Sequence, residues 1–303
     1  MPTTNRILSV ALLVATGGWL SACDVNIGVD AAGVTAREKK QYTVSGTPDV
    51  TLKTFDGSIE IRSWDRSEVT IDVEKRASDQ EALGAIEIVS EQKGNSIVFE
   101  ARYPKRATKM VHIGFHMSPS AKLVVSVPRQ VNLAITSGDG AITIERVTGR
   151  VELETGDGTI RGTDLAGELK AHTGDGSITL EDLNSRVDVE TGDGGVKLTG
   201  KLLGLRLRTG DGSIWIRADE GSTIEEDWEV RTGDGGVSLE LPARFDADLD
   251  ADASDGRVHL QNIDMAATGR SAEHAVRGKI GAGGRTLRLR TSDGTITIRQ
   301  GGR

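Results

Sequence analysis

A single cysteine, Cys23, in 303 residues leaves no partner for a disulfide within the chain, so the fold cannot be stapled covalently. Aromatic side chains make up only 3% of the sequence, too few for the stacking platforms of a sugar-binding groove or a single-stranded nucleic-acid channel. The formal charge is −8, without Lys and Arg clustered among aromatics, and nucleic acid is excluded as a partner on that ground. There is no Gly-x-Ser-x-Gly elbow and no P-loop. With 38 glycines against 6 prolines the chain is rich in turns and still compatible with sheet.

What the sequence does have is a repeat. Thr-Gly-Asp-Gly occurs at 155–158, 173–176, 191–194 and 209–212, a fixed step of 18 residues. Such a period predicts stacked coils, none of which can bury its apolar side until its neighbours cover it. Aligning the turn aspartates Asp157, Asp175, Asp193, Asp211, Asp234, Asp255 and Asp293 brings apolar residues into register. Six positions before the aspartate stand Val151, Leu169, Val187, Leu205, Trp228, Leu249 and Leu287; four before stand Leu153, Ala171, Val189, Leu207, Val230, Ala251 and Leu289. Three and five positions beyond it, pairs such as Ile178/Leu180 and Ile296/Ile298 continue the pattern. Each coil therefore reads as strand, turn, strand with alternate residues inward. The expectation is an all-β protein, a parallel β-solenoid with 18-residue repeats over 131–303, preceded by a smaller β-rich section over 49–130. General crossover preference makes it right-handed. A hexapeptide left-handed helix is excluded, because the apolar spacing around the turn is uneven.

Between the inward positions lie charges. Five before the aspartate come Glu152, Lys170, Asp188, Arg206, Glu229, Asp250 and Arg288; three before come Glu154, His172, Glu190, Arg208, Arg231, Asp252 and Arg290. Read coil by coil, acid and base alternate, which would pair opposite charges on adjacent strands and penalise misregister. The step lengthens after Asp211, so loops bulge there, and the longest, Ile263–Arg285, is expected to close the C-terminal end. In the N-terminal section, 50–55 and 58–62 read as a hairpin around Asp56-Gly57. Further strands are expected at 69–74, 86–91, 97–102, 110–117 and 122–127, with one helical turn at 78–83.

Residues 1–22 read as an export signal: Arg6, the apolar run Ile7–Leu20, then Leu20-Ser21-Ala22-Cys23. The last four residues resemble the bacterial lipoprotein signal, in which the cysteine is diacylated and becomes the mature N-terminus; an ordinary secretory signal with an incidental cysteine is the alternative. Two acyl chains suffice for stable attachment, so the membrane is an expected partner through Cys23. Asp24 resembles the inner-membrane retention signal of enteric-type bacteria and favours the periplasmic side of the inner membrane. Residues 23–48 are then an acylated cysteine followed by a flexible tether.

Ile61-Arg62-Ser63-Trp64-Asp65, Val125-Ser126-Val127-Pro128, the Thr-Gly-Asp-Gly units, and the closing Gly-Lys-Ile-Gly-Ala-Gly-Gly with Thr-Ser-Asp-Gly-Thr-Ile-Thr-Ile resemble the bacterial putative-adhesin family of β-strand-repeat domains of unknown function. The resemblance spans about Val50 to Gln300 and brings no catalytic residues. It implies a non-enzymatic structural or interaction module that would bind an envelope protein or polysaccharide.

Candidate site residues follow from the repeat. Asp157, Asp175, Asp193 and Asp211 would form a row that could hold Ca²⁺, although the bland role is to accept hydrogen bonds within their own turns, with flanking glycines at positive φ. That cation site supports the alternative reading, a carbohydrate-active or cation-binding surface protein. The threonines at 155, 173, 191, 209 and 232 are expected to bond to adjacent turn backbone. Trp215 lies between inward Ile214 and Ile216 and is the best contact candidate, near Lys197 and Thr179, whereas Trp228 reads as core. His112 and His116 have helical ligand spacing in a stretch that reads as strand, which argues against zinc.

Overall fold

The computed structural model describes residues 25–30, 33–104, 118–263, 265–267 and 273–301. Strands stack in parallel along the repeat, in the register that the turn aspartates set. Ile142, Ile160, Ile178, Val196, Ile214 and Val237 are successive partners on the strands that leave the turns. Val151, Leu169, Val187 and Leu205 are successive partners on the strands that enter them. Side chains of alternate residues face the interior, and all seven residues of the column from Val151 to Leu287 are no more than 3% exposed. The molecule is held by these columns, each buried aliphatic side chain contributing roughly 1.5–3 kcal/mol of transfer free energy.

Strands Ile142–Thr155, Ile160–Thr173, Ile178–Thr191 and Val196–Thr209 each leave one turn, bend, and enter the next. At the bend Arg146, Asp164 and Asp182 adopt positive φ of 58°, 54° and 55°. That left-handed residue resets the alternation and turns the following side chain inward, creating a further buried column of Val147, Leu165 and Leu183. Strict alternation from the turn misses this column.

The Asp56-Gly57 turn is not a hairpin. Its flanking strands Asp49–Thr54 and Ile59–Trp64 do not pair with each other. The first pairs in parallel with Ser96–Arg102 and Asn132–Ser137, the second with Ser120–Pro128 and the start of Ile142–Thr155. Asp56 therefore marks a coil of the same stack, since an Asp-Gly turn suits a hairpin and a stacked coil alike.

The stretch expected as a tether is mostly strand in its described part, over Val25–Asp30 and Gly33–Thr43. Gly33–Thr43 lies antiparallel to Glu68–Ala77, from Val34 opposite Ala77 to Thr43 opposite Glu68, and Val25–Asp30 pairs antiparallel with Gly33–Thr43. Its charged residues make cross-strand pairs: Arg37–Glu74 at 2.7 Å, Lys75–Glu38 at 2.5 Å and Lys39–Asp72 at 3.3 Å. Antiparallel strands thus close the N-terminal end of the stack. A short helix, Gln80–Gly84, sits beside them, its first turn capped by Asp79, which accepts from Ala82 N at 2.8 Å.

At the C-terminal end the coils do not stack in chain order. Thr286–Thr291, the strand entering the Asp293 turn, lies between Trp228–Thr232 and Ala247–Ala253. Ile296–Gln300 likewise lies between Val237–Leu241 and Val258–Gln261. The Asp255 coil is laid down first and sits outermost; the chain then returns through Met265–Ala267 and Ala275–Ile280, which pair antiparallel beyond it, and the last coil fills the gap. The loop expected to close this end does so as strands.

Candidate functional site

The turn edge is built on threonine. Thr155, Thr173, Thr191, Thr209, Thr232 and Thr291 are all buried. The Thr173 hydroxyl hydrogen is shared between Gly156 O at 3.0 Å and Gly158 O at 2.9 Å, so it bonds to the turn of the preceding coil. Thr209 Oγ1 also accepts from Gly212 N of its own turn at 3.2 Å. The hydroxyl is thus the link between one turn and the next.

The glycines serve close approach rather than positive φ. Those on either side of Asp157, Asp175, Asp193 and Asp211 all have ordinary φ. A Cβ on Gly174 would stand 2.8 Å from Gly156 O and 3.0 Å from Asp157 Oδ1. One on Gly176 would overlap the Gly158 carbonyl. Coils can stack at the turn only if both positions lack side chains.

Asp157, Asp175, Asp193 and Asp211 form the expected exposed row, but their carboxylates take no hydrogen bond from their turns. Each leans over the first glycine of the next turn, as Asp157 does over Gly174. Among the described residues no group of three or more His, Cys, Asp or Glu is arranged to hold a metal ion.

Trp215 lies half-buried on the outer face of a departing strand, beside Lys197 and Ser238 on its neighbours. The Lys197 ammonium sits 5.5 Å from its ring centroid and 2.6 Å from Glu181 Oε1, so a cation–π contact covers one ring face. Trp228 is fully buried against Phe245, with ring centroids 5.2 Å apart. Cys23, Asp24, His112, His116 and the expected strand at 110–117 lie outside the described residues.

The entering strands present the charged face. Rearranging the last coils puts the first charge column in the order Glu152, Lys170, Asp188, Arg206, Glu229, Arg288, Asp250, with Arg277 of Ala275–Ile280 beyond. In chain order Glu229 and Asp250 would have stood together; in space the alternation is unbroken. The second column does not alternate. It runs Glu154, His172, Glu190, then Arg208, Arg231, Arg290, and ends on Asp252, so that three guanidiniums in succession follow the acidic stretch.

Two carboxylates anchor the basic half. Glu229 meets Arg231 at 2.5 Å, Arg208 at 3.3 Å and Arg206 at 3.9 Å. Asp250 meets Arg290 at 2.6 Å, Arg277 at 3.0 Å and Arg288 at 3.6 Å. Burial pushes the Asp250 carboxyl up, but hydrogen bonds from Arg290 and Arg277 prevail and hold it below the ordinary aspartate value. Glu74 is lowered in the same way by Arg37 and Arg76 against its burial, and Glu100 by Arg102. Arg277 was invisible to the 18-residue period, because it lies on an antiparallel strand outside the repeat.

A family model described as Toastrack DUF4097 matches residues 48–299. The chain belongs to this family. No curated protein matches it. Solved structures to which the chain is similar include a Bacteroides fragilis protein named a putative adhesin, 11% identical, covering 87% of this chain and 96% of its own at a TM-score of 0.43. A Parabacteroides distasonis protein with the same kind of name is 13% identical, with 88% and 97% covered at 0.35. A second protein from that organism, named a putative lipid binding protein, is 14% identical, with 86% and 96% covered at 0.38.

Proposed function

We propose that this toastrack protein is a lipid-anchored, non-enzymatic module of the bacterial cell envelope that works by presenting rigid charged strand faces to other envelope components. The observation that carries the reading is the dispersal of its polar groups. Acids, bases and hydroxyls recur once per coil along the stack instead of converging on one point, as general acid–base chemistry would require. The carboxylates with lowered pKa, Glu74, Glu100 and Asp250, owe it to neighbouring arginines and lie on three separate strands rather than in one common cleft. Names of the structural relatives point the same way, and Leu20-Ser21-Ala22-Cys23 supplies the anchor.

Incorporation of labelled palmitate into the wild-type chain, and its loss in Cys23→Ser, tests the anchor; an unlabelled wild-type chain rejects it. Capture of envelope extract on the acylated protein then identifies a protein or polysaccharide partner.

The row Asp157, Asp175, Asp193 and Asp211 supports a second reading, a cation-binding or carbohydrate-active surface, because these carboxylates are exposed and free of hydrogen bonds and ion pairs among the described residues. Calorimetric titration with Ca²⁺ tests it: heat that disappears in Asp175→Ala/Asp193→Ala favours the second reading, and no heat rejects it.

A further inference from the structure

The charged face is self-complementary. Entering the Asp157 turn, the strand carries two carboxylates, Glu152 and Glu154; the next carries Lys170 with His172; the next two carboxylates, Asp188 and Glu190. The following three strands carry the reverse: two guanidiniums, Arg206 and Arg208, then the balanced pair Glu229 and Arg231, then two guanidiniums, Arg288 and Arg290. About a line between Glu190 and Arg208 the outer charges are antisymmetric. A two-fold axis parallel to the strands along that line would bring every carboxylate pair of one copy onto a guanidinium pair of the other, which is what an isologous interface demands.

Within one chain the arginine block is balanced only by Glu229 and Asp250, each shared among three arginines. Three arginines in successive register, Arg208, Arg231 and Arg290, are unfavourable neighbours within a sheet, and the adjacent column shows that alternation was available. The acidic half is also unsatisfied: Glu152, Glu154, Asp188 and Glu190 make no ion pair among the described residues, whereas Glu229 and Asp250 lie under three arginines each. Shape agrees with charge. Glu152, Glu154, Lys170, His172, Asp188 and Glu190 line a depression of about 290 Å³, while Arg208 and Arg231 keep 47% and 51% of their side-chain surface exposed. Long guanidinium side chains have a hollow to enter.

We infer that this face joins two copies of the chain, the acidic half of each seated on the arginine half of the other. Six strands at about 4.8 Å, each presenting five residues or roughly 17 Å from the level of Val151 to that of Thr155, give ~500 Å² per copy. The sum, ~1,000 Å², is at the lower limit for a specific interface, so the pair is weak and salt-sensitive, with charge setting its register. The inference goes beyond the envelope reading and does not depend on acylation.

The test is co-purification of two differently tagged full-length copies in nonionic detergent. Wild-type copies should associate at 50 mM salt and at least about tenfold less at 1 M, where the Debye length falls to roughly 3 Å. Glu154→Arg/Glu190→Arg should fail to capture itself, Arg208→Glu/Arg290→Glu likewise, and the two variants mixed should recover association. Melting curves establish that both variants fold. Salt-insensitive capture, self-capture by either folded variant, or no recovery in the mixture overturns the inference, and the wild-type salt dependence decides it even if a variant does not fold.

Discussion

A threonine in every turn and a glycine on each side of every aspartate in the Thr-Gly-Asp-Gly units divide the work of stacking in a way that substitution can separate. Thr173→Val keeps the shape of the side chain but leaves the Gly156 and Gly158 carbonyls without its hydroxyl. Its expected cost is about 1–2 kcal/mol in denaturant unfolding. Asp175, exposed and without a hydrogen bond, should behave differently: Asp175→Ala is expected to change stability by less than about 0.5 kcal/mol. The repeat motif shows both residues with equal prominence. What it hides is that the glycines answer to the carbonyls of the preceding coil, a fact about two chain segments 18 residues apart.

Among the elements, the strand Ala247–Ala253 carries the most exacting electrostatics, because Asp250 gathers Arg277, Arg288 and Arg290 from the strands on both sides of it. Its folded pKa lies below its unfolded value of about 3.9. The stability that it contributes is therefore present above that value and is lost as the pH falls through the folded one. Asp250→Asn should cost about 1–3 kcal/mol at neutral pH, since the arginines lose a charged acceptor. The variant should also show a shallower loss of stability below pH 4 than the wild type, as measured by thermal unfolding across pH. Most strands were legible from alternation, and the helical turn at 80–84 was legible near its place. The strand Gly33–Thr43 was not, because its charges face cross-strand partners that the sequence does not identify. The column of Val147, Leu165 and Leu183 escaped notice because a left-handed residue shifts the parity of burial.

At the scale of the molecule, the insertion of the last coil has a measurable consequence. Ile296–Gln300 is flanked by strands on both sides, whereas among the described residues Val258–Gln261 forms a strand pairing only with it. Backbone amides exchange through local opening, which is easiest at unpaired edges. The strand close to the C-terminus should therefore exchange more slowly than Val258–Gln261 in hydrogen-exchange mass spectrometry, and the opposite order would contradict the stacking. The same arrangement accounts for the charge pattern: with Arg288 between Glu229 and Asp250 no like charges meet in the first column. Beyond the outermost entering strand, Ala247–Ala253, the antiparallel Ala275–Ile280 blunts an edge that could recruit other chains.

An 18-residue period with apolar residues at constant distances from a turn aspartate determines parallel stacking, the identity of most of the core and the outward placement of Trp215, because these depend only on spacing along the chain. The order of the final coils, the antiparallel ends, the partners of Asp250 and the two opposed halves of the charged face were decided by tertiary structure. Each depends on which strand lies beside which, and chain order yields that neighbour only while successive coils stack without interruption.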